Sequence, residues 1–484
     1  MAFPTLQFDF GQNLLQLISL NFDGFHGLSN LTLATTPESE YGSFVLTGVL
    51  MTIVVIYAMS KIGGELSKRV GLPPVLGELL GGVLVGVSAF HLIVFPETGA
   101  VAADSLMMSI LQKLGDLDPT AMNHIFESQS EVISVLAELG VIVLLFEIGL
   151  ESDLRELTKV GSQAAVVAVV GVVAPFLLGT VGLVALFHAP VIPAIFAGAA
   201  LTATSIGITS KVLSDLGQLK STEGTIIVGA AVIDDVLGII VLAVVASLAK
   251  TGEVDLLNVV YLVIGASAFL LGSILLGKFF NKSFEAIAGK LQTRGALLIP
   301  ACAFALVMAI IANSIHLEAI LGAFAAGLVL DETDLRKELD RLVMPVADLL
   351  VPIFFVTVGA KADLGVLNPF IEENRAGLII ATFLVVVAIV GKVITGWAVF
   401  GKPGINRLAV GFGMIPRGEV GLVFAGIGSA SGVLDKPLEA AIIVMVIVTT
   451  FIAPPLLQLV LDNPDDGDLD GTKADLEKPL ALVE

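Results

Sequence analysis

Apolar runs long enough to cross a bilayer recur about every thirty residues along this chain, and that recurrence leaves few folds open. A helix of roughly 20 apolar residues spans the hydrocarbon layer. Lipid satisfies no backbone polar group, so a chain that enters it repeatedly is built from helices, which bond their own peptide groups. The fold class is therefore an all-α polytopic membrane protein. Composition agrees, with 56% hydrophobic and only 14% charged residues. Thirteen spans are predicted: 43–62, 73–95, 131–150, 160–187, 191–214, 225–249, 256–276, 295–314, 317–330, 342–358, 376–400, 408–429 and 438–461. Residues 1–42 form an N-terminal extension, 43–461 the membrane domain and 462–484 an acidic tail.

Charge sets the orientation and excludes some functions. Fifteen Lys and Arg, from Lys68 and Arg69 through Arg407, fall in alternate loops, while the opposite loops hold Lys113, Lys250, Lys361, Arg375 and Lys436. Basic residues stay on the cytoplasmic side, so the N-terminus is expected outside and the C-terminal tail in the cytoplasm, as an odd number of spans requires. The net charge of −20 gathers in the tail and in 96–131, which argues against a nucleic-acid partner. The one cysteine, Cys302, excludes disulfides and Cys-based metal sites, and the five scattered His without HExxH give a zinc enzyme little support. There is no nucleophile–base set for an enzyme. The N-terminus has no basic n-region or small-residue cleavage site, so it does not read as a signal peptide.

Two carboxylates, Asp234 and Asp235, stand in the otherwise uncharged run 225–249. One Asp at the centre of a membrane helix costs about 2.5–3.5 kcal/mol on insertion scales, and such residues mark functional sites. Adjacent helical residues point about 100° apart, so the two acids look into different parts of the interior. An ion site that alternates between a proton and a metal cation is the expected chemistry, with Asp235, Asp234 and Thr204 as ligands of Na+.

Two spans are interrupted where the bilayer middle should be: AGAALTATSIGITS at 197–210 and GFGMIPRGEVGLV at 411–423, where Pro416 has no N–H to donate. Each is the middle member of a three-span group, 160–249 and 376–461, and the charge count has the two groups entering from opposite sides. Matched broken helices of this kind are the mark of an inverted-repeat transporter with a midplane site. In the first break Thr202, Thr204 and Ser205 offer hydroxyls, and unwinding would free carbonyls; back-bonding to the preceding turn is the alternative. Lys392, alone in VVVAIVGKVITGW, needs a carboxylate partner, and Asp234 or Asp235 are the candidates. Arg417 and Glu419, beside Pro416 in the second break, are expected to neutralise the half-helix ends, or to pair with each other or with a core carboxylate. Glu78, Glu138 and Glu147 are further acids in or at the ends of spans.

At PPVLGELLGGVLVG, FEIGLESDL, LTATSIGIT, GAAVIDDVLG, LGAFAAGLVL, PIFFVTVGAKAD and GMIPRGEVGLVFA the chain resembles the cation/proton antiporters of the NapA/Kef branch, over residues 43–461 and in order. The resemblance implies two crossing broken helices, a homodimer with separate dimerisation and core domains, and Asp235 as carrier of the exchanged ion beside Asp234. It matches Lys392 to the lysine that pairs with the first Asp, here Asp234, in the electrogenic members. It implies Na+/H+ exchange with no cofactor beyond the transported ions; a K+/H+ antiporter or a gated cation channel are the alternatives. The nucleotide-binding domain of Kef proteins has no counterpart in the short tail, which contains no GxGxxG.

Overall fold

The computed structural model describes residues 38–461 apart from 116, 252–256, 270–271, 274–283, 285–289, 369, 371 and 402–403. Residues 1–37 of the expected extension and the whole tail 462–484 lie outside the described residues. Helices run in the order α1 (Glu38–Arg69), α2 (Pro74–Val85), α3 (Leu106–Gly115), α4 (Pro119–Glu151), α5 (Leu154–Phe187), α6 (Val191–Ala200), α7 (Ile206–Asp215), α8 (Thr222–Thr251) and α9 (Leu257–Phe269). They continue as α10 (Leu298–Ser314), α11 (Ala319–Asp331), α12 (Arg336–Lys361), α13 (Glu372–Val393), α14 (Arg407–Gly413), α15 (Glu419–Ala430) and α16 (Lys436–Leu461). No strand occurs among the described residues. Among the described residues seven helices, α1, α4, α5, α8, α12, α13 and α16, are long and apolar enough to cross a membrane.

Two segments differ from the sequence expectation. The span placed at 73–95 is helical only to Val85. Gly86 is extended, with φ −82° and ψ −161°, and the chain folds back so that the Ile93 N–H donates to the Val85 carbonyl at 2.8 Å. The acidic stretch 96–131, expected as a loop, holds α3 and the first three turns of α4. Asp118 starts α4 by accepting from the Ala121 N–H at 2.7 Å, with Pro119 at the first helical position. The polar face of these helices had disguised an apolar one, on which Met107, Met108, Leu111, Met122, Ile125 and Phe126 are buried.

The helices pack in two groups. In one, α4 lies against α11 and α12, α2 against α1 and α12, and α10 against α11. Close approach replaces hydrophobic drive between helices in lipid. At the α2–α12 contact a Cβ on Gly82 would overlap the Val356 carbonyl, and one on Gly359 the Leu79 carbonyl. In the other group α5 packs on α6 and α8, α13 on α16 and α5, and α15 on α6 and α16. The groups meet where α7 rests on α4 and α2, with Val141 and Leu145 of α4 facing Gly207.

Candidate functional site

The site begins with two failures of helix. After α6 the chain leaves helical geometry at 201–205, and α7 restarts with Ser205 as its cap, the hydroxyl accepting from the Ile208 N–H at 3.5 Å. α14, capped by Asn406, ends at Gly413, and α15 starts only at Glu419. Pro416 contributes no donor and biases Ile415 away from helix, which explains the second gap. Both gaps fall inside the interruptions read from the sequence.

The two breaks cross and answer each other's unpaired backbone groups. The Ser205 N–H donates to the Pro416 carbonyl at 2.8 Å, and the Thr204 and Thr209 hydroxyls donate to the Met414 and Gly413 carbonyls at 3.1 and 2.9 Å. The Arg417 guanidinium donates to the Ala203 carbonyl. From α16 the Thr450 hydroxyl donates to the Arg417 carbonyl at 2.6 Å. A buried backbone group without a partner costs free energy comparable to a lost hydrogen bond, so these exchanges are what let irregular chain persist inside the bundle.

Past this crossing runs α8. Asp234 is fully buried and Asp235 is 5% exposed. Lys392, near the end of α13 and itself fully buried, places Nζ 3.2 and 3.3 Å from the two oxygens of Asp234. Of the two partners the sequence left open, the lysine takes the first. Room for the pair comes from Gly171 of α5, where a Cβ would stand 3.2 Å from Lys392 Nζ and 3.8 Å from Asp234 Oδ1. Arg417, also fully buried, lies close enough for its charge to act on Asp234.

Asp235 borders a different space. It lines a cavity of about 10 Å³, room for roughly one water-sized particle, together with Thr204, Ser205, Gly418 and Glu318. A Cβ on Gly418 would come within 3.0 Å of the Ser205 hydroxyl. Val141, Phe354 and Gly418 also line a second cavity of about 370 Å³, which continues past Arg417 and Glu138 to Lys361 and Glu97. At that end Lys361 Nζ is 2.6 Å from Glu97 Oε2 and 3.4 Å from the Ser134 hydroxyl, and lies 4.8 Å from the Phe95 ring centroid. The candidate site thus shares part of its lining with the cavity at the Lys361 end of the molecule.

Not every expected residue is gathered here. Thr202 donates its hydroxyl back to the Ala199 carbonyl at 2.8 Å and does not border the small cavity. The side chain of Glu419 lies outside the described residues. Glu78 accepts from the Ser60 hydroxyl at 2.8 Å, away from the crossing, and Glu138 borders the larger cavity. Sequence reasoning passed over Gly171, Gly418 and Glu318. The two glycines carry no signal that separates them from ordinary packing glycines. Glu318 did carry one, a charge inside a span already too short, at 317–330.

The transmembrane sodium/hydrogen exchanger family matches residues 52–462. The chain is 59% identical over 430 residues to the high-affinity Na(+)/H(+) antiporter NhaS3 of Synechocystis sp., covering 89% of this chain and 93% of that protein. It is 32% identical over 418 residues to the Na(+)/H(+)-K(+) antiporter GerN of Bacillus cereus, covering 85% and 96%. Among solved structures it is similar in fold to the sodium proton antiporter MjNhaP1 from Methanocaldococcus jannaschii at pH 8, with a TM-score of 0.56 and 15% identity over 86% of this chain and 99% of that one.

Proposed function

Because the chain belongs to the sodium/hydrogen exchanger family, it is a secondary transporter rather than an enzyme, and we propose that it exchanges Na+ for H+ at Asp235 by alternating access. The observation that carries this reading is the environment of Asp235. It is a nearly buried carboxylate bordering a one-particle cavity beside two unwound helices, while its neighbour Asp234 is already neutralised by Lys392. A carboxylate so placed can take a proton or a cation, and cannot hold both at full strength. Thr204 and Ser205 supply oxygen donors for the cation, and the half-helix ends supply dipoles.

The Lys392–Asp234 pair gives exchange its electrical character. A cation arriving at Asp235 competes for the local negative charge and loosens the pair, and the lysine then yields its proton. Two protons against one Na+ make transport electrogenic. The chain crosses the membrane thirteen times, the short helices α6 and α7, and α14 and α15, each pair making one crossing; the N-terminus is outside and the C-terminus cytoplasmic. Groups 160–249 and 376–461 are the inverted repeats of the core, and the remaining helices form the dimer scaffold. Na+ is the cargo favoured over K+ by the name of the relative sharing 59% identity.

Purified protein in liposomes with an imposed pH gradient tests the assignment. Added Na+ should drive proton movement in the wild type and none in Asp235→Asn, with K+ run in parallel. Normal Na+-driven proton movement by Asp235→Asn sinks it.

A further inference from the structure

Glu318 is a half-buried carboxylate that the exchange reaction described above does not use. It directly precedes α11, whose 13 residues make a helix of roughly 20 Å, well short of the ~30 Å hydrocarbon layer. A tight hairpin fixes the position: His316 adopts φ +63°, the Leu317 N–H donates to the Ala312 carbonyl at 3.0 Å, and the Glu318 carbonyl accepts from Leu321 N–H at 3.1 Å. Leu317 and Ile320 on either side are buried, at 3% and 8% exposure. The carboxylate does not cap its own helix. Glu318 is among the residues that line the small cavity with Asp235, Thr204 and Ser205.

The two acids reach that cavity from opposite partners. Asp235 is on α8, in the group that contains both broken helices. Glu318 belongs to α11, which packs on α10 and α4 in the other group. We propose that Glu318 is a cation ligand specific to the conformation open toward Lys361. It joins Asp235 around the arriving Na+ and is left behind when the group carrying Asp235 turns toward the opposite face. Two carboxylates about one water-sized space hold a cation more tightly than one, so Glu318 raises affinity at the loading face alone. At the other face Asp235 works without it, and release is easier there. This rests on Asp235 being the exchange site.

The test uses full-length protein in liposomes with its orientation determined, and Na+ presented at each face in turn. Glu318→Gln should raise the Na+ half-saturation at the Lys361 face about tenfold or more, the scale of losing a charged partner from a buried contact. At the opposite face it should remain within about twofold of wild type, and Glu318→Asp should restore most of the loss. Glu318→Ala asks the same question if the amide variant does not fold. Unchanged half-saturation at both faces, or an equal loss at both, overturns the proposal while leaving Asp235 in place. Exchange that survives in Asp235→Asn overturns the parent reading instead.

Discussion

Lys392 and Asp234 are both fully buried and 3.2 Å apart, so neither charge has water to fall back on. Breaking such a pair by removing one partner costs about 3–5 kcal/mol, because the other charge is stranded; nearby Arg417 offsets part of it. Lys392→Met should therefore lower the melting temperature in detergent by several degrees. Any exchange that remains should respond less to an imposed membrane potential, measured as proton flux at fixed Na+ with the potential varied. Thr204 acts on the other side of the crossing. Thr204→Val strands the Met414 carbonyl and removes a hydroxyl from the cavity, at about 1–3 kcal/mol, and should raise the Na+ half-saturation several-fold with the fold intact by circular dichroism. An unaltered half-saturation would make this threonine purely structural. Asp234, Asp235 and Lys392 were legible in the sequence because each is a charge inside an apolar run. The choice of Asp234 over Asp235 as the lysine's partner came only from the family resemblance and not from the residues themselves, since it depends on a helix 158 residues away and on the absent side chain at Gly171. Thr202 and Thr204 look alike in LTATS; only the crossing partner separates a hydroxyl that bonds its own turn from one that reaches Met414.

Helix ends and helix contacts decide more here than helix propensity. The second break is held in place from beneath by a short 3-10 helix, Ile394–Ala398, that continues α13 and lies against α14. At that contact a Cβ on Gly396 would overlap the Arg407 carbonyl, and one on Gly411 would sit 2.6 Å from the Val393 carbonyl. Gly396→Ala should force α14 away from α13 and with it the Lys392 end of the ion pair. A destabilisation of about 1–3 kcal/mol is expected, read as a lower melting temperature together with weakened exchange. A wild-type melting profile would show that the contact yields freely. The breaks themselves were readable, because Pro416 and the run of small and hydroxylated residues at 201–205 oppose helix locally. The early end of α2 and the helices inside 96–131 were not. Gly86 ends α2 by contact with Ala360, far along the chain, and α3 and the start of α4 mix polar and charged residues with buried methionines, which dilutes the apolar signal.

The molecule as a whole is asymmetric about its site. A cavity of about 370 Å³ leads from Lys361 and Glu97 to Val141, Phe354 and Gly418, and these last three also line the space beside Asp235. At the other end a cavity of about 270 Å³, lined by Asp153, Glu156, Lys220 and Arg336, shares no lining residue with it. Leu422 borders the larger cavity. A Leu422→Cys protein, with native Cys302 replaced by Ser, should react with a membrane-impermeant thiol reagent added at the Lys361 face and not at the Arg336 face. Labelling from the Arg336 face alone would reverse the direction of access. Which end is expected to face the cytoplasm follows from the count of basic residues alone. Which end the larger cavity occupies was not legible in the sequence, because it depends on how the two helix groups lean on each other through contacts of α7 with α4 and α2, which join residues far apart in the chain.

The hydrogen bonds that tie the two breaks together, Ser205 to Pro416, Thr204 to Met414 and Thr209 to Gly413, make the breaks themselves a single piece, which on the proposed mechanism is carried rather than remade in each cycle. The work of a turnover then falls on the outer surfaces that slide against lipid and against the neighbouring helices, and the bilayer becomes a mechanical component of the exchanger. Acyl chains that are too long or too short impose a modest penalty per ångström on a displaced helix group. Turnover should accordingly vary with chain length across a series of defined phosphatidylcholines, while the grip on the ion at equilibrium stays the same.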